Sequence, residues 1–217
     1  IGLAGGTISR SMQALYGDDP RFEMQGVEID PDVIALGKTY FELDQPNLAI
    51  VNADGRTALN LGANRGAEPL DVVFVDAYAN QLYIPFHLTT REFFSEVDRR
   101  LSPNGIAAIN VNAASENSQL LGAITNTMAG VWPHVYRAHV GDYWNYLIIG
   151  SQTPIDFSPL RTVKTPNSEF DEFSQKLSQD FAKIAFDRNA PMLTDDRAPI
   201  EQMTDAMFWQ ELVKQLQ

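Results

Sequence analysis

Ile1-Gly2-Leu3-Ala4-Gly5-Gly6-Thr7-Ile8-Ser9-Arg10, read together with Val27-Glu28-Ile29-Asp30, decides the fold. Gly2, Gly5 and Gly6 let a backbone turn sharply and pass close to a ligand, because no Cβ intervenes and a positive φ costs little. Thr7 or Ser9 is then placed to cap a helix whose first N–H groups point at whatever lies over the loop. About twenty residues on, a second apolar run ends in Glu28, the acidic position that binds ribose hydroxyls in nucleotide-binding βαβ units. Loop and acid at that distance together indicate a nucleoside. The strand expected to feed the loop would precede Ile1, so the natural protein is expected to continue upstream.

Working outward, Phe22 to Glu28 reads as a strand, and Pro31 opens a helix at a favoured first position. Val33, Ile34, Leu36, Gly37, Tyr40 and Phe41 give that helix an apolar face. Leu48 to Val51 is a short strand, left through a turn at Asp54-Gly55, with helix from Thr57 to Leu61. Asp71-Val72-Val73-Phe74-Val75-Asp76 is the clearest strand, continuously apolar between two acids as a strand covered on both faces should be. An amphipathic helix over 89–101 points Phe93, Phe94, Val97 and Leu101 inward, and Ser102-Pro103-Asn104-Gly105 stops it before a strand over 106–111. Ser115 or Asn117 is expected to cap the next helix, which runs to about Ala129. Val135 to Val140 and Tyr143 to Ile149, joined at Gly141-Asp142, predict an antiparallel hairpin at the sheet edge.

The alternation predicts an α/β fold: a Rossmann-like, mostly parallel sheet with that edge hairpin and helices on both faces. Residues 1–150 are expected to form a nucleoside-binding catalytic domain. Residues 151–217 follow as a connector and helices packed on the core. Phe170, Phe173, Leu177, Phe181 and Ile184 read as the stripe of one such helix, and Met207, Phe208, Leu212 and Leu216 belong to the last. Ligands of such sheets sit beyond the carboxyl ends of the strands, where Glu28, Asp54 and Asp76 all fall.

Composition narrows the chemistry. Sixteen basic against twenty-eight acidic residues give a net charge of −12, which disfavours nucleic acid and suits a cationic partner. With no cysteine, disulfides, thiolate metal sites and a cysteine nucleophile are excluded from these 217 residues. His87, His134 and His139 lack metal-ligand spacing, so no metal is expected. His87, between Phe86 and Leu88, reads as a partly buried structural histidine. Asp195-Asp196 reads as a helix cap or a partner for Arg197. No apolar run reaches a membrane span and no signal peptide is visible, so a cytoplasmic location is expected.

With Gly2-Leu3-Ala4-Gly5-Gly6, Val27-Glu28-Ile29-Asp30, Asp54-Gly55 and the 71–76 strand in this order, residues 1–150 resemble the spermidine synthase family. These are polyamine aminopropyltransferases built on the fold of class I S-adenosylmethionine-dependent methyltransferases. The Leu193–Glu201 segment is similar to a branch often joined to membrane-transporter-like segments. The resemblance implies that Gly2, Gly5 and Gly6 pass beneath the methionine-derived part of the donor. It implies that Glu28 holds the ribose and that Asp54, followed by Gly55, accepts from the adenine amino group. Asp76 would orient and deprotonate the incoming amine, with Tyr78, Gln81 and Tyr83 in the loop covering the substrate.

Two positions depart from the family pattern. Gly5 stands where an acid usually contacts the transferred chain, and Ala79 stands where a second acid usually binds the substrate amine. The family's N-terminal β-hairpin domain for oligomerisation is not visible, although a homodimer remains compatible with the resemblance. The leading expectation is aminopropyl transfer from decarboxylated S-adenosylmethionine to a small cationic amine. A methyltransferase using intact S-adenosylmethionine and a non-catalytic nucleoside-binding module are the alternatives.

Overall fold

The computed structural model describes residues 1–80, 82–141, 144–165 and 168–216; Gln81, Asp142, Tyr143, Pro166, Asn167 and Gln217 lie outside the described residues. The chain forms two compact units, Ile1–Ala67 and Glu68–Gln217.

The first unit runs α1 (Thr7–Tyr16), β1 (Met24–Glu28), α2 (Pro31–Tyr40), β2 (Leu48–Asn52) and α3 (Gly55–Asn64). β1 and β2 pair in parallel, with Val27 opposite Val51 and Glu28 opposite Asn52, so both strands end at the same level. Pro31 opens α2 as expected, and the Asp30 carboxylate caps it by accepting from the amides of Asp32 and Val33. α1 starts differently from the expectation. Its N-cap is Gly6, with no side-chain cap; the Ser9 hydroxyl donates back to the Gly6 carbonyl at 2.9 Å, and Thr7 is already helical. The apolar face of α2 is largely uncovered: Gly37 is buried, whereas Leu36 is 52% and Tyr40 71% exposed.

The second unit contains β3 (Leu70–Val75), α4 (Arg91–Arg100), β4 (Leu101–Asn112), α5 (Gln119–Ala129), β5 (His134–Val140), β6 (Asn145–Ser151), α6 (Ser168–Asp180), β7 (Ala182–Ile184) and α7 (Ile200–Gln215). The strands lie in the order β3-β4-β6-β5-β7. β3 and β4 are parallel, and β5 with β6 forms the expected antiparallel hairpin. β6 inserts between β4 and β5, so β5 runs in the direction of β4, and β7 adds an antiparallel strand beside β5. The fold is α/β and Rossmann-like.

Several boundaries move for identifiable reasons. Strand pairing continues through Pro103-Asn104-Gly105 because β4 bulges there: Leu70 pairs with Leu101, yet Val72 already pairs with Ile106. α4 is capped by Thr90, whose Oγ1 accepts from the Phe93 amide, and Phe93, Phe94 and Val97 are fully buried as expected. The residue before α5 is Ser118, without a side-chain cap, in place of Ser115 or Asn117. Ile184 leaves the helical stripe to pair with Val135 in β7, and Asp171, Ser174 and Ser178 are the buried positions of α6. Asp171 is satisfied there by the Thr165 amide at 2.9 Å and hydroxyl at 3.0 Å.

The core of the second unit joins Phe93 and Phe94 of α4 to Leu121, Ile124 and Met128 of α5 and to Ile109 and Ile148 of the sheet. Trp132 is buried against Phe94, and its indole N–H donates to Asp98 at 2.8 Å. The 187–191 segment is tied down by one side chain: Asn126 Nδ2 donates to the carbonyls of Asp187, Ala190 and Pro191, and its Oδ1 accepts from the Asp187 amide. Among the described residues no helix is long and apolar enough to cross a membrane.

Candidate active site

In the first unit the glycine loop folds onto the end of β1. The amides of Gly2 and Leu3 both donate to the Val27 carbonyl, at 2.9 and 3.0 Å. Gly2 and Gly6 have φ of 79° and 77°, in the left-handed region that glycine enters without steric cost. A Cβ on Gly6 would also collide with the Leu43 side chain. Ala4 takes φ 46° without that freedom, and its amide is held by Glu28 Oε2 at 3.0 Å. Glu28 Oε1 accepts from the Asp30 amide at 3.1 Å. One carboxylate thus joins the loop to the turn that opens α2. Arg10 completes the frame, donating to the carbonyls of Gly5 at 2.7 Å and Phe41 at 2.8 Å.

The end of β2 is fixed to the same place. Asn52 Nδ2 donates to the carbonyls of Glu28 and Ile29, both at 2.9 Å. Asp54 follows as the N-cap of α3, its Oδ1 accepting from the Thr57 amide at 2.9 Å, so the helix begins at Gly55. A side chain at buried Gly55 would collide with Ile1. The structure therefore brings Gly2, Gly5, Gly6, Glu28, Asp54 and Gly55 to one end of the β1–β2 pair. Glu28 and Asp54 both carry local backbone amides in addition to any ligand role.

In the second unit Asp76 follows β3 directly, and Asn110 of the neighbouring β4 donates its Nδ2 to Asp76 Oδ1 at 3.0 Å. The loop then crosses β4. Tyr78 donates its hydroxyl to the Asn110 carbonyl at 3.1 Å and accepts from the Asn112 amide at 2.9 Å. Burial pushes the Tyr78 phenol well above its usual value, and the nearby Asp76 charge adds to the effect. The Tyr78 hydroxyl is thus engaged by backbone as both donor and acceptor. Ala79 and Tyr83 then close the loop, exchanging amide–carbonyl bonds of 2.7 and 3.1 Å. Tyr83 donates its hydroxyl to Asp205 of α7 at 2.7 Å, a bond that raises its own pKa. Gln81 is outside the described residues.

α7 is anchored at this end of the sheet. Its buried Met207 accepts from the Ala114 amide at 3.2 Å and the Ser118 hydroxyl at 3.5 Å, both just beyond β4. The inward face of the helix is Ile200, Met203, Thr204 and Met207, while Phe208 and Leu212 are exposed. Asp195 braces α4: its Oδ1 accepts from Thr90 at 2.7 Å, and its amide donates to Glu92 at 3.0 Å. The described residues contain no group of three or more His, Cys, Asp or Glu placed to hold a metal ion.

Sequence reasoning missed Asn110, Asn112 and Asp205. The signal for the first two was present: polar residues at alternate positions, ending an apolar strand, at the level where Asp76 ends its neighbour. Asp205 gave no signal, because its contact spans 122 residues.

The sequence pattern of the spermine/spermidine synthase domain matches residues 21–150, more than half of the chain. The chain belongs to the spermine/spermidine synthase family. A relative, the probable polyamine aminopropyl transferase of Bifidobacterium longum, is 27% identical over 93% of this chain, which spans 47% of that protein. The chain thus covers about half the length of this relative of the synthase family. Among solved structures, a probable spermidine synthase from Corynebacterium glutamicum aligns with a TM-score of 0.64 and 20% identity, covering 88% of this chain and 69% of its own. Human methyltransferase-like protein 13, solved with SAH, aligns with a TM-score of 0.61 and 19% identity, over 87% of this chain and 83% of its own. At such identities these two likenesses show the fold, which synthase and methyltransferase share.

Proposed function

We propose that the protein transfers an aminopropyl group from decarboxylated S-adenosylmethionine to a cationic amine. The observation that carries this reading is Asp76, presented at the carboxyl end of β3 and oriented by Asn110, in a chain of the spermine/spermidine synthase family. In the first unit, the Gly2–Gly6 loop lies under the aminopropyl side of the donor, Glu28 accepts from the ribose hydroxyls, and Asp54 accepts from the adenine amino group. In the second, Asp76 attracts the ammonium of the acceptor and takes a proton from it, while the rings of Tyr78 and Tyr83 wall the alkyl chain.

The reaction balances without redox chemistry. The neutral amine attacks the methylene next to the sulfonium; a C–N bond forms as the C–S bond breaks, and methylthioadenosine leaves as a neutral thioether. The proton lost by the amine passes through Asp76 to water. Holding nucleophile and electrophilic carbon in line supplies much of the acceleration, and the carboxylate adds general-base help of about 10²–10⁴-fold. Both co-substrates are water-soluble metabolites, and the reaction takes place in the cytoplasm.

The test is turnover by the full-length protein with decarboxylated and intact S-adenosylmethionine, against putrescine, spermidine and cadaverine. Methylthioadenosine released in step with an aminopropylated amine is the expected result. Methyl transfer from the intact donor, with no aminopropyl transfer from the other, refutes the reading.

A further inference from the structure

A diamine acceptor carries two ammonium groups. Asp76 answers the one that reacts, and a carboxylate within reach of the distal one would let the site tell a diamine from a monoamine. The loop after Asp76 does not provide it: from Ala77 to Arg91 the sequence has no Asp or Glu. The loop after β4 has Glu116, but that residue lines a cavity of about 460 Å³ together with Arg137 and Lys176.

The third element at this end of the sheet is α7. Met207 seats it on the residues leaving β4, and Asp205 receives the Tyr83 hydroxyl from the loop leaving β3 at 2.7 Å. β3 and β4 are parallel neighbours, so both loops leave from the end of the sheet that carries Asp76. Ala79 and Tyr83 face each other across an antiparallel bridge and exchange both hydrogen bonds. Partners in such a pair project their side chains to one face. The Ala79 methyl and the Tyr83 ring therefore share a side of the loop, and the far end of that ring holds Asp205. A carboxylate stands one tyrosine length out from a position that offers only a methyl group. Asp205 is exposed, so it keeps room for a second donor beside the phenol.

We infer that Asp205 is the counter-ion for the distal ammonium of a diamine acceptor whose reacting amine meets Asp76. This rests on the aminopropyl-transfer reading above. Tyr83 sets the carboxylate's position and supplies the apolar wall between the two charged ends.

The test compares 1,4-diaminobutane with n-butylamine, which has the reacting amine and no distal charge. In the full-length protein, Asp205→Asn raises KM for the diamine about two- to fivefold, as loss of an exposed ion pair implies. The KM for n-butylamine and for the donor stays at the wild-type value. Ala79→Asp, added to Asp205→Asn, places a carboxylate on the same face and recovers the diamine KM, an outcome that a merely structural Asp205 does not produce. An unchanged diamine KM in Asp205→Asn overturns the inference and leaves aminopropyl transfer standing. So does an equal rise for both amines. If the wild type transfers no aminopropyl group to either amine, the parent reading falls and takes the inference with it.

Discussion

Replacing Asp76 by Asn separates a base from a brace. Asp76 Oδ1 accepts from Asn110 Nδ2 at 3.0 Å, and an amide oxygen can accept there too. Where Asn110 keeps its donor role, the new amide turns its oxygen toward Asn110, and its NH2 then occupies the place of the carboxylate oxygen that would take the substrate proton. A proton acceptor becomes a donor with almost no change of shape. Removing a general base implies a loss of about 10²–10⁴ in kcat, equivalent to about 2.7–5.5 kcal/mol of barrier. The fold loses far less. Exchanging a charged for a neutral hydrogen-bond acceptor costs about 1 kcal/mol, a shift of about 2–4 °C in Tm for a chain of this size. Steady-state kinetics with decarboxylated S-adenosylmethionine and a diamine, with donor affinity by calorimetry, form the assay. Ultraviolet titration of Tyr78 gives an independent reading. Its phenol is raised first by burial and then by the Asp76 charge, so in the variant it ionises at lower pH than in the wild type. A variant that keeps most of its rate refutes the role of base, and one that loses donor affinity and rate together assigns Asp76 to structure.

Glu28→Gln keeps an acceptor oxygen for only one of the two amides that Glu28 holds, Ala4 or Asp30, and loses the charge proposed to answer the ribose. Affinity for methylthioadenosine and for both sulfonium donors should fall alike, by about ten- to a hundredfold; calorimetry showing three unchanged values removes Glu28 from the site. Gly6→Ala puts a Cβ onto Leu43 at a positive φ and should lower stability by about 1–2 kcal/mol in denaturant unfolding. A wild-type midpoint would show that the loop refolds around the methyl group. Tyr78 holds its proton more tightly folded than unfolded, so above about pH 10 the unfolded chain ionises first and is favoured. Its stabilising contribution is thus complete below the ordinary tyrosine range and lost as pH rises through and beyond it. Tyr78→Phe should therefore be less stable at neutral pH, with the Asn112 amide and Asn110 carbonyl unpartnered, and should lose less on going to alkaline pH; equal slopes for the two proteins contradict the raised phenol.

What the sequence discloses is what depends on near neighbours. The glycine loop, Pro31 at the first position of α2 and the apolar run into Asp76 are each set within a few residues. All three stand in the structure where their patterns imply. Gly141 belongs with them: it follows β5 with a φ of 69°, which glycine enters without steric cost. Breaker residues mislead where pairing overrides them. Pro103 and Gly105 read as the end of an element, yet a bulge lets β4 pair on both sides of them. Apolar periodicity misleads in another way. It marks Phe173, Phe208 and Leu212 as inward, whereas α6 buries Asp171, Ser174 and Ser178 and α7 buries Met203, Thr204 and Met207. Polar side chains can occupy an inward face when each finds a partner, as Asp171 does at Thr165, and such partners lie outside any helical window.

The candidate site divides along the same line. Glu28, Asp54 and Asp76 are visible in the sequence because each ends an apolar run, and strand ends are where sheets of this kind expose their chemistry. Their partners come from other strands, Asn52 for the carbonyl of Glu28 and Asn110 for Asp76, and the neighbouring Tyr83 is held from a helix by Asp205. A carboxylate at a strand end can be a solvated terminus or a base, and its own neighbours in sequence do not decide between them. The deciding contact is the one that fixes which oxygen faces outward. For Asp76 that contact is a single amide from β4, made at the level where Tyr78 also ties the loop to the same strand. The two bonds act on one loop, so substitutions at Asn110 and Tyr78 should be non-additive, because either one alone loosens the segment that carries Asp76. A double-mutant cycle read on kcat would expose this: independent effects would mean that Asp76 is oriented by Asn110 alone and that Tyr78 serves only the fold.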